Sequence, residues 1–127
     1  MPKEIVTTDK APAAIGPYSQ AVKFGNMLFT SGQIPLEPAS GKLVEGDITV
    51  QAEQVLTNLS NLLEASGSSI DKVIKTTCFL TNLDDFQTFN EIYARYFGDA
   101  QPARSTIQVS RLPAGAIVEV ECVAELG

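Results

Sequence analysis

Asp47-Ile48-Thr49-Val50-Gln51-Ala52-Glu53-Gln54-Val55-Leu56-Thr57-Asn58-Leu59-Ser60-Asn61-Leu62-Leu63-Glu64-Ala65-Ser66-Gly67 is the most strongly patterned stretch of the chain. Ile48, Ala52, Val55, Leu56, Leu59, Leu62 and Leu63 stand at offsets 0, 4, 7, 8, 11, 14 and 15, one face of a 3.6-residue helix. Gln51, Gln54, Asn58, Asn61 and Glu64 fall between them and are expected on the solvated side. Asp47 suits the N-cap, where its carboxylate can accept a free backbone N–H, and Gly67 stands where a C′ glycine closes a helix.

Working outward, the apolar stripe Phe86, Phe89, Tyr93 and Phe97 predicts a second helix from about Asp84 to Phe97. Asn82 is its expected cap, Asp84 and Asp85 suit the positive end of its dipole, and Gly98 ends it. Val73 to Leu80, about Ser105 to Val109, and Ile117 to Ala124 read as strands. Upstream, Val22-Lys23-Phe24, Gly25-Asn26 and Met27-Leu28-Phe29-Thr30 read as a hairpin, because Gly supplies the positive φ a primed turn requires. Residues 34–46 are expected to form a loop. Strands alternating with two helices predict a mixed sheet with helices packed on it, a two-layer α/β sandwich.

In Val118-Glu119-Val120-Glu121-Cys122-Val123-Ala124, the alternating set Val118, Val120, Cys122 and Ala124 suits the helices. Glu119, Glu121 and Val123 face the other way, a mixture that is neither a clean core nor a clean solvent surface. Two helices cover one face only, so the other meets water or another subunit, and its mixed residues favour a homo-oligomer.

The composition bounds the chemistry. The 127 residues suffice for one domain, taken as 1–127, with its own core. The formal charge of −6 repels phosphate backbones and anionic lipid, which argues against nucleic acid or a membrane as partner. No histidine occurs, which excludes His triads, His metal sites and His proton shuttles. No basic n-region with an apolar core opens the chain, so a cytoplasmic location is expected. The two cysteines, Cys78 and Cys122, lie in separate apolar runs and read as reduced core thiols. No metal or cofactor is expected.

Two polar residues break the pattern. Asn90 stands on or beside the stripe of the second helix, either as a buried amide satisfied by nearby backbone or as a side chain that hydrogen-bonds a loop or ligand at a subunit boundary. Arg104 opens a strand with Thr106 and Gln108 on its face. It reads as a surface charge, as a partner of Glu119 or Glu121, or as a planar fork for a ligand carboxylate.

Four strings in order, Ala13-Ala14-Ile15-Gly16-Pro17-Tyr18-Ser19-Gln20-Ala21, Thr30-Ser31-Gly32-Gln33-Ile34-Pro35, Pro102-Ala103-Arg104-Ser105-Thr106, and Leu112-Pro113 followed by Val118-Glu119-Val120-Glu121-Cys122, resemble the reactive intermediate deaminase A (RidA, or YjgF) family. The resemblance spans almost the whole chain. It implies an α+β, chorismate-mutase-like fold, a mixed sheet with two helices packed on one face, assembled as a homotrimer with clefts between adjacent subunits. It also implies cofactor-free hydrolysis of 2-aminoacrylate-type enamines and 2-imino acids, such as 2-iminobutanoate and 2-iminopropanoate, to 2-keto acids and ammonia. By motif, Arg104 would bind the substrate carboxylate and Glu121 would hold the attacking water. Tyr18, Ser31 and Gly32 would shape the pocket, Asn90 would support it, and Thr106 stands where many relatives carry Cys. Ribonuclease or translation-inhibitor activity, and non-enzymatic ligand binding or chaperone-like holding, are the alternatives that this resemblance leaves.

Overall fold

The computed structural model describes residues 2–127. Six strands, β1 (Glu4–Val6), β2 (Ala21–Phe24), β3 (Met27–Thr30), β4 (Val73–Leu80), β5 (Ala103–Gln108) and β6 (Val118–Glu125), form one sheet in the order β1-β2-β3-β6-β4-β5. Neighbours pair antiparallel except β4 and β5, which run parallel with helix α2 (Phe86–Phe97) as the connection between them. Helix α1 (Ile48–Ala65) joins β3 to β4 and packs with α2 on the same side. This is the expected mixed sheet with two helices.

The first helix is capped as its sequence requires. The Asp47 side chain accepts from the Val50 N–H, and Gly67 takes φ +87° while the Ser68 N–H closes onto the Leu63 carbonyl. All seven residues of the expected apolar face are buried. They meet Leu28, Cys78, Leu80, Val118 and Val120 from the sheet and Phe89 and Phe97 from α2.

Two residues assigned to solvent are buried instead. Gln51 and Asn58 are 3% and 0% exposed, because the loop over residues 34–46 folds across that side of α1. The Asn58 amide donates to the carbonyls of Ile34 and Leu36 at 3.2 and 2.9 Å, and Gln51 donates to Val44 and accepts from the Ile117 N–H. Loop carbonyls cut off from water need such donors, which two helix amides supply.

The second helix also starts later than expected. The Asn82 side chain accepts from the Asp84 N–H, which tightens Leu83–Asp85 into a 3-10 turn before α2 begins at Phe86. Strand β5 starts at Ala103, two residues before its expected start, so Arg104 lies within the sheet.

Alternation along β6 is as expected: Val118, Val120, Cys122 and Ala124 are buried beneath the helices. Strand β4 follows the same rule from Thr76 onward. A bulge between Val73 and Lys75 turns Ile74 outward, where it is 49% exposed. Both cysteines are free and buried, and burial pushes their thiols up to about 11 for Cys78 and about 12 for Cys122. Neither is a nucleophile at neutral pH.

Candidate functional site

The motif residues gather at two places. The first is a cleft of about 660 Å³ on the outer side of the sheet, lined by Tyr18, Ser31, Gly32, Ala114, Glu119 and Glu121 among others. Glu119 and Glu121 stand two residues apart on β6, opposite Phe79 and Thr77 of β4, and so share the face turned away from the helices.

The segment above them is tied down by buried amides. Gln20 is 4% exposed; its side chain accepts from the Thr8 N–H and donates to the carbonyls of Thr8, Ala11 and Pro12. The backbone of Gln33 exchanges hydrogen bonds with Val120, which clamps Ser31-Gly32 against β6. Gln20 and Gln33 belong to the motif strings, yet nothing in their local sequence marks them as buried anchors. A glutamine inside a strand-and-loop run carries no periodic signal of burial.

Within this cleft the Ser31 hydroxyl donates to the Ser19 carbonyl, so its oxygen is left as an acceptor toward the cleft. The Tyr18 hydroxyl accepts from the Ile15 N–H at 3.3 Å, and its ring is 55% exposed. Gly32 is required by space: a Cβ there would lie 2.5 Å from Glu119 Oε2. Burial first, and the charge of Glu121 second, raise the pKa of Glu119 above the usual carboxylate value. Neither carboxylate has a hydrogen-bond or ion-pair partner among the described residues.

The second place is a cavity of about 410 Å³ at the β5 edge, lined by Asn90, Tyr93, Gln101, Pro102 and Arg104 among others. Arg104 pairs in register with Thr76 and so points toward the helix side. Its Nη1 donates to Asn90 Oδ1 at 2.7 Å, and its guanidinium carbon lies 4.6 Å from the Tyr93 ring centre and 5.4 Å from that of Phe86. Tyr93 is fixed in turn by a 2.8 Å hydrogen bond with Thr76 and by stacking on Phe97. The fork is therefore oriented by an amide and aromatic faces, with no carboxylate among the described residues to neutralise it. Thr106, next on that face, carries a buried hydroxyl oxygen with no partner.

Within one chain, then, Arg104, Asn90 and Thr106 lie on one side of the sheet and Tyr18, Ser31, Gly32, Glu119 and Glu121 on the other. Pairing of Arg104 with Glu119 or Glu121 inside a protomer, one of the options its sequence left open, is excluded by this register. The geometry offers an unneutralised cation with a fixed fork, and separately a carboxylate pair in an open cleft.

Comparison with known proteins places the chain in a family and matches its fold. The family model described as Endoribonuclease L-PSP matches residues 8–126. Reactive Intermediate Deaminase A, chloroplastic, of Arabidopsis thaliana is 53% identical over 124 residues, which cover 98% of this chain and 66% of that protein. The 2-iminobutanoate/2-iminopropanoate deaminase of Mus musculus is 47% identical over 125 residues, 98% of this chain and 93% of the mouse protein. The crystal structure of E. coli TdcF with bound serine matches with a TM-score of 0.91 at 43% identity, covering 98% of this chain and 99% of that one. The chain belongs to the Endoribonuclease L-PSP family, the YjgF/RidA group whose sequence strings it carries.

Proposed function

We propose that this protein is a cofactor-free deaminase that hydrolyses 2-imino acids and their enamine tautomers to 2-keto acids and ammonia, in a site completed by a second copy of the chain within a homotrimer. One copy offers Arg104, Asn90 and Thr106; its neighbour offers Tyr18, Ser31, Gly32 and Glu121. The observation that carries this reading is the un-neutralised Arg104 fork, held by Asn90 and two aromatic rings as an anion receptor. Supporting it are the names of the Arabidopsis and mouse relatives, and the serine bound to TdcF, whose carboxylate is the kind of anion such a fork would hold.

An imine carbon is already electrophilic, so placing water beside it contributes most of the effect. Arg104 fixes the substrate carboxylate. Glu121 takes a proton from water as the C–O bond forms and returns it to nitrogen. Glu121 then carries the carbinolamine hydroxyl proton to the amino nitrogen as the C–N bond breaks, so that ammonia leaves and the 2-keto acid remains. One acid–base group of this kind contributes about 10²–10⁴ in rate.

The family description also names an endoribonuclease activity. The charge of −6 argues against RNA as substrate. The deciding assay couples a threonine dehydratase to this protein and follows keto-acid release, with an RNA-cleavage assay in parallel. Faster keto-acid release with intact RNA is expected. Unchanged imine decay would overturn the proposal.

A further inference from the structure

We propose that Ala114 is a specificity-determining residue of the outer cleft: held in a strained turn, it forms with Ile15 and Ile34 the apolar lining that receives the side chain of the imino acid. The inference deepens the deaminase reading and rests on it for the identity of the ligand.

The turn breaks a rule of backbone geometry. Ala114 takes φ +61° and ψ +14°, and Gly115 follows at φ +76°, while the Ala116 N–H donates to the Pro113 carbonyl at 3.1 Å. Two consecutive left-handed residues inside one such hydrogen bond make the pattern of a type I′ turn, in which Gly, Asn and Asp dominate. Gly115 follows that preference and Ala114 does not, so position 114 carries a steric cost that a glycine or an asparagine would relieve. The fold pins the turn from the far side. Ala116 is buried, the Ile117 N–H donates to Gln51 Oε1 of α1 at 2.9 Å, and the Ile117 carbonyl accepts from the Thr81 N–H at 3.1 Å. Strain held in place by its surroundings concentrates at functional sites, and Ala114 lines the cleft that contains Glu119 and Glu121.

The lining carries two chemistries. Ser31, Glu119 and Glu121 are polar, whereas Ile15, Ile34 and Ala114 are apolar, and Ile15 is 79% exposed, outside the core. An imino acid divides in the same way. Its carboxylate belongs to the Arg104 fork and its imine carbon to the water at Glu121, which leaves the side chain for the apolar lining. Two carboxylates without a cation among the described residues repel an acidic side chain. An apolar side chain instead covers Ile15 and Ala114 and removes both surfaces from water. A methyl group at position 114 keeps this lining apolar, where the asparagine favoured by the turn would set an amide into it.

The test uses Ala114→Gly and Ala114→Asn, both of which relieve the turn. Imino acids made in situ by an amino-acid oxidase from leucine and from alanine are compared through the ratio of their kcat/KM values, which in the wild type should favour the leucine-derived imine. Ala114→Gly should lower that ratio about fourfold, the worth of one buried CH₂, and Ala114→Asn about tenfold, because an amide must be desolvated against the side chain. Both variants should unfold at a higher urea concentration than the wild type, so a loss of selectivity cannot be laid to a damaged fold. Calorimetric binding of the matching keto acids, 4-methyl-2-oxopentanoate and pyruvate, reads the same preference without catalysis. A selectivity ratio unmoved in both variants, a lowered urea midpoint in both, or equal binding of the two keto acids to the wild type overturns the assignment. If the wild type hydrolyses neither imine, the deaminase reading falls, while the keto-acid preference and its loss in Ala114→Asn still decide whether residue 114 selects apolar side chains.

Discussion

At the scale of the residue, Arg104 is a charge held in one orientation, and the proposed function makes it the anchor of the substrate carboxylate. Its fork is oriented by Asn90 at 2.7 Å and by the rings of Tyr93 and Phe86. A lysine could keep the charge but neither the planar stacking nor the paired donors. Arg104→Lys should therefore lower kcat/KM for 2-iminobutanoate by about 10- to 100-fold, the value of one or two charge-assisted hydrogen bonds. Asn90→Ala should cost less, since it frees the fork without removing it. Steady-state kinetics on both variants checks the order; equal activity of wild type and Arg104→Lys would contradict the assigned anchor. The residue types at Arg104, Asn90 and Glu121 were legible in the sequence as polar breaks in apolar patterns or through the motif strings. The raised proton affinity of Glu119 was not, because it depends first on burial by the folded chain and then on the charge of Glu121 in that setting.

At the scale of the element, both helices and strands β2 to β6 read to within two residues of their observed starts, since a 3.6-residue stripe and a 2-residue alternation are local properties, whereas the three residues of β1 are too short to carry such a pattern and are not assigned from sequence. What failed was the outer side of α1. Gln51 and Asn58 have the spacing of solvated residues, and only the path of the loop over 34–46 makes them buried. Their amides replace water for carbonyls that no strand or helix partners. Asn58→Ala should strip two donors from the Ile34 and Leu36 carbonyls and destabilise the fold by about 2 kcal/mol. Urea unfolding should show a lower midpoint with an unchanged m-value. A midpoint equal to wild type would mean that the loop carbonyls find water without Asn58. The late start of α2 has a similarly local cause, the Asn82 cap on Asp84, which no hydrophobic period encodes.

At the scale of the whole molecule, the sheet covers itself with helices on one face and leaves the other with Phe29, Ile74 and Ile107 each 46% exposed or more. Exposed apolar groups on one surface, interleaved with Glu121, Lys75 and Thr77, are what the proposed homo-oligomer would cover. The pattern along β6 already pointed to such a face, but the rotation by which the proposed oligomer would relate its copies has no local signal in a sequence. The same gap explains the site: Arg104 and Glu121 appear as one constellation in the family strings, while the register places them on opposite sides of the sheet. Closed rotational symmetry would unite them, each interface pairing the Arg104 edge of one copy with the Glu121 cleft of the next.

Mixed assembly tests that union most directly. Arg104→Ala and Glu121→Ala chains, each inactive alone, are co-expressed in equal amounts and the mixed oligomers purified. If the site is shared between neighbours in a ring, some interfaces combine an intact Arg104 with an intact Glu121, and about a quarter of wild-type activity should return. Mixed oligomers that stay as inactive as their parents would contradict the shared site.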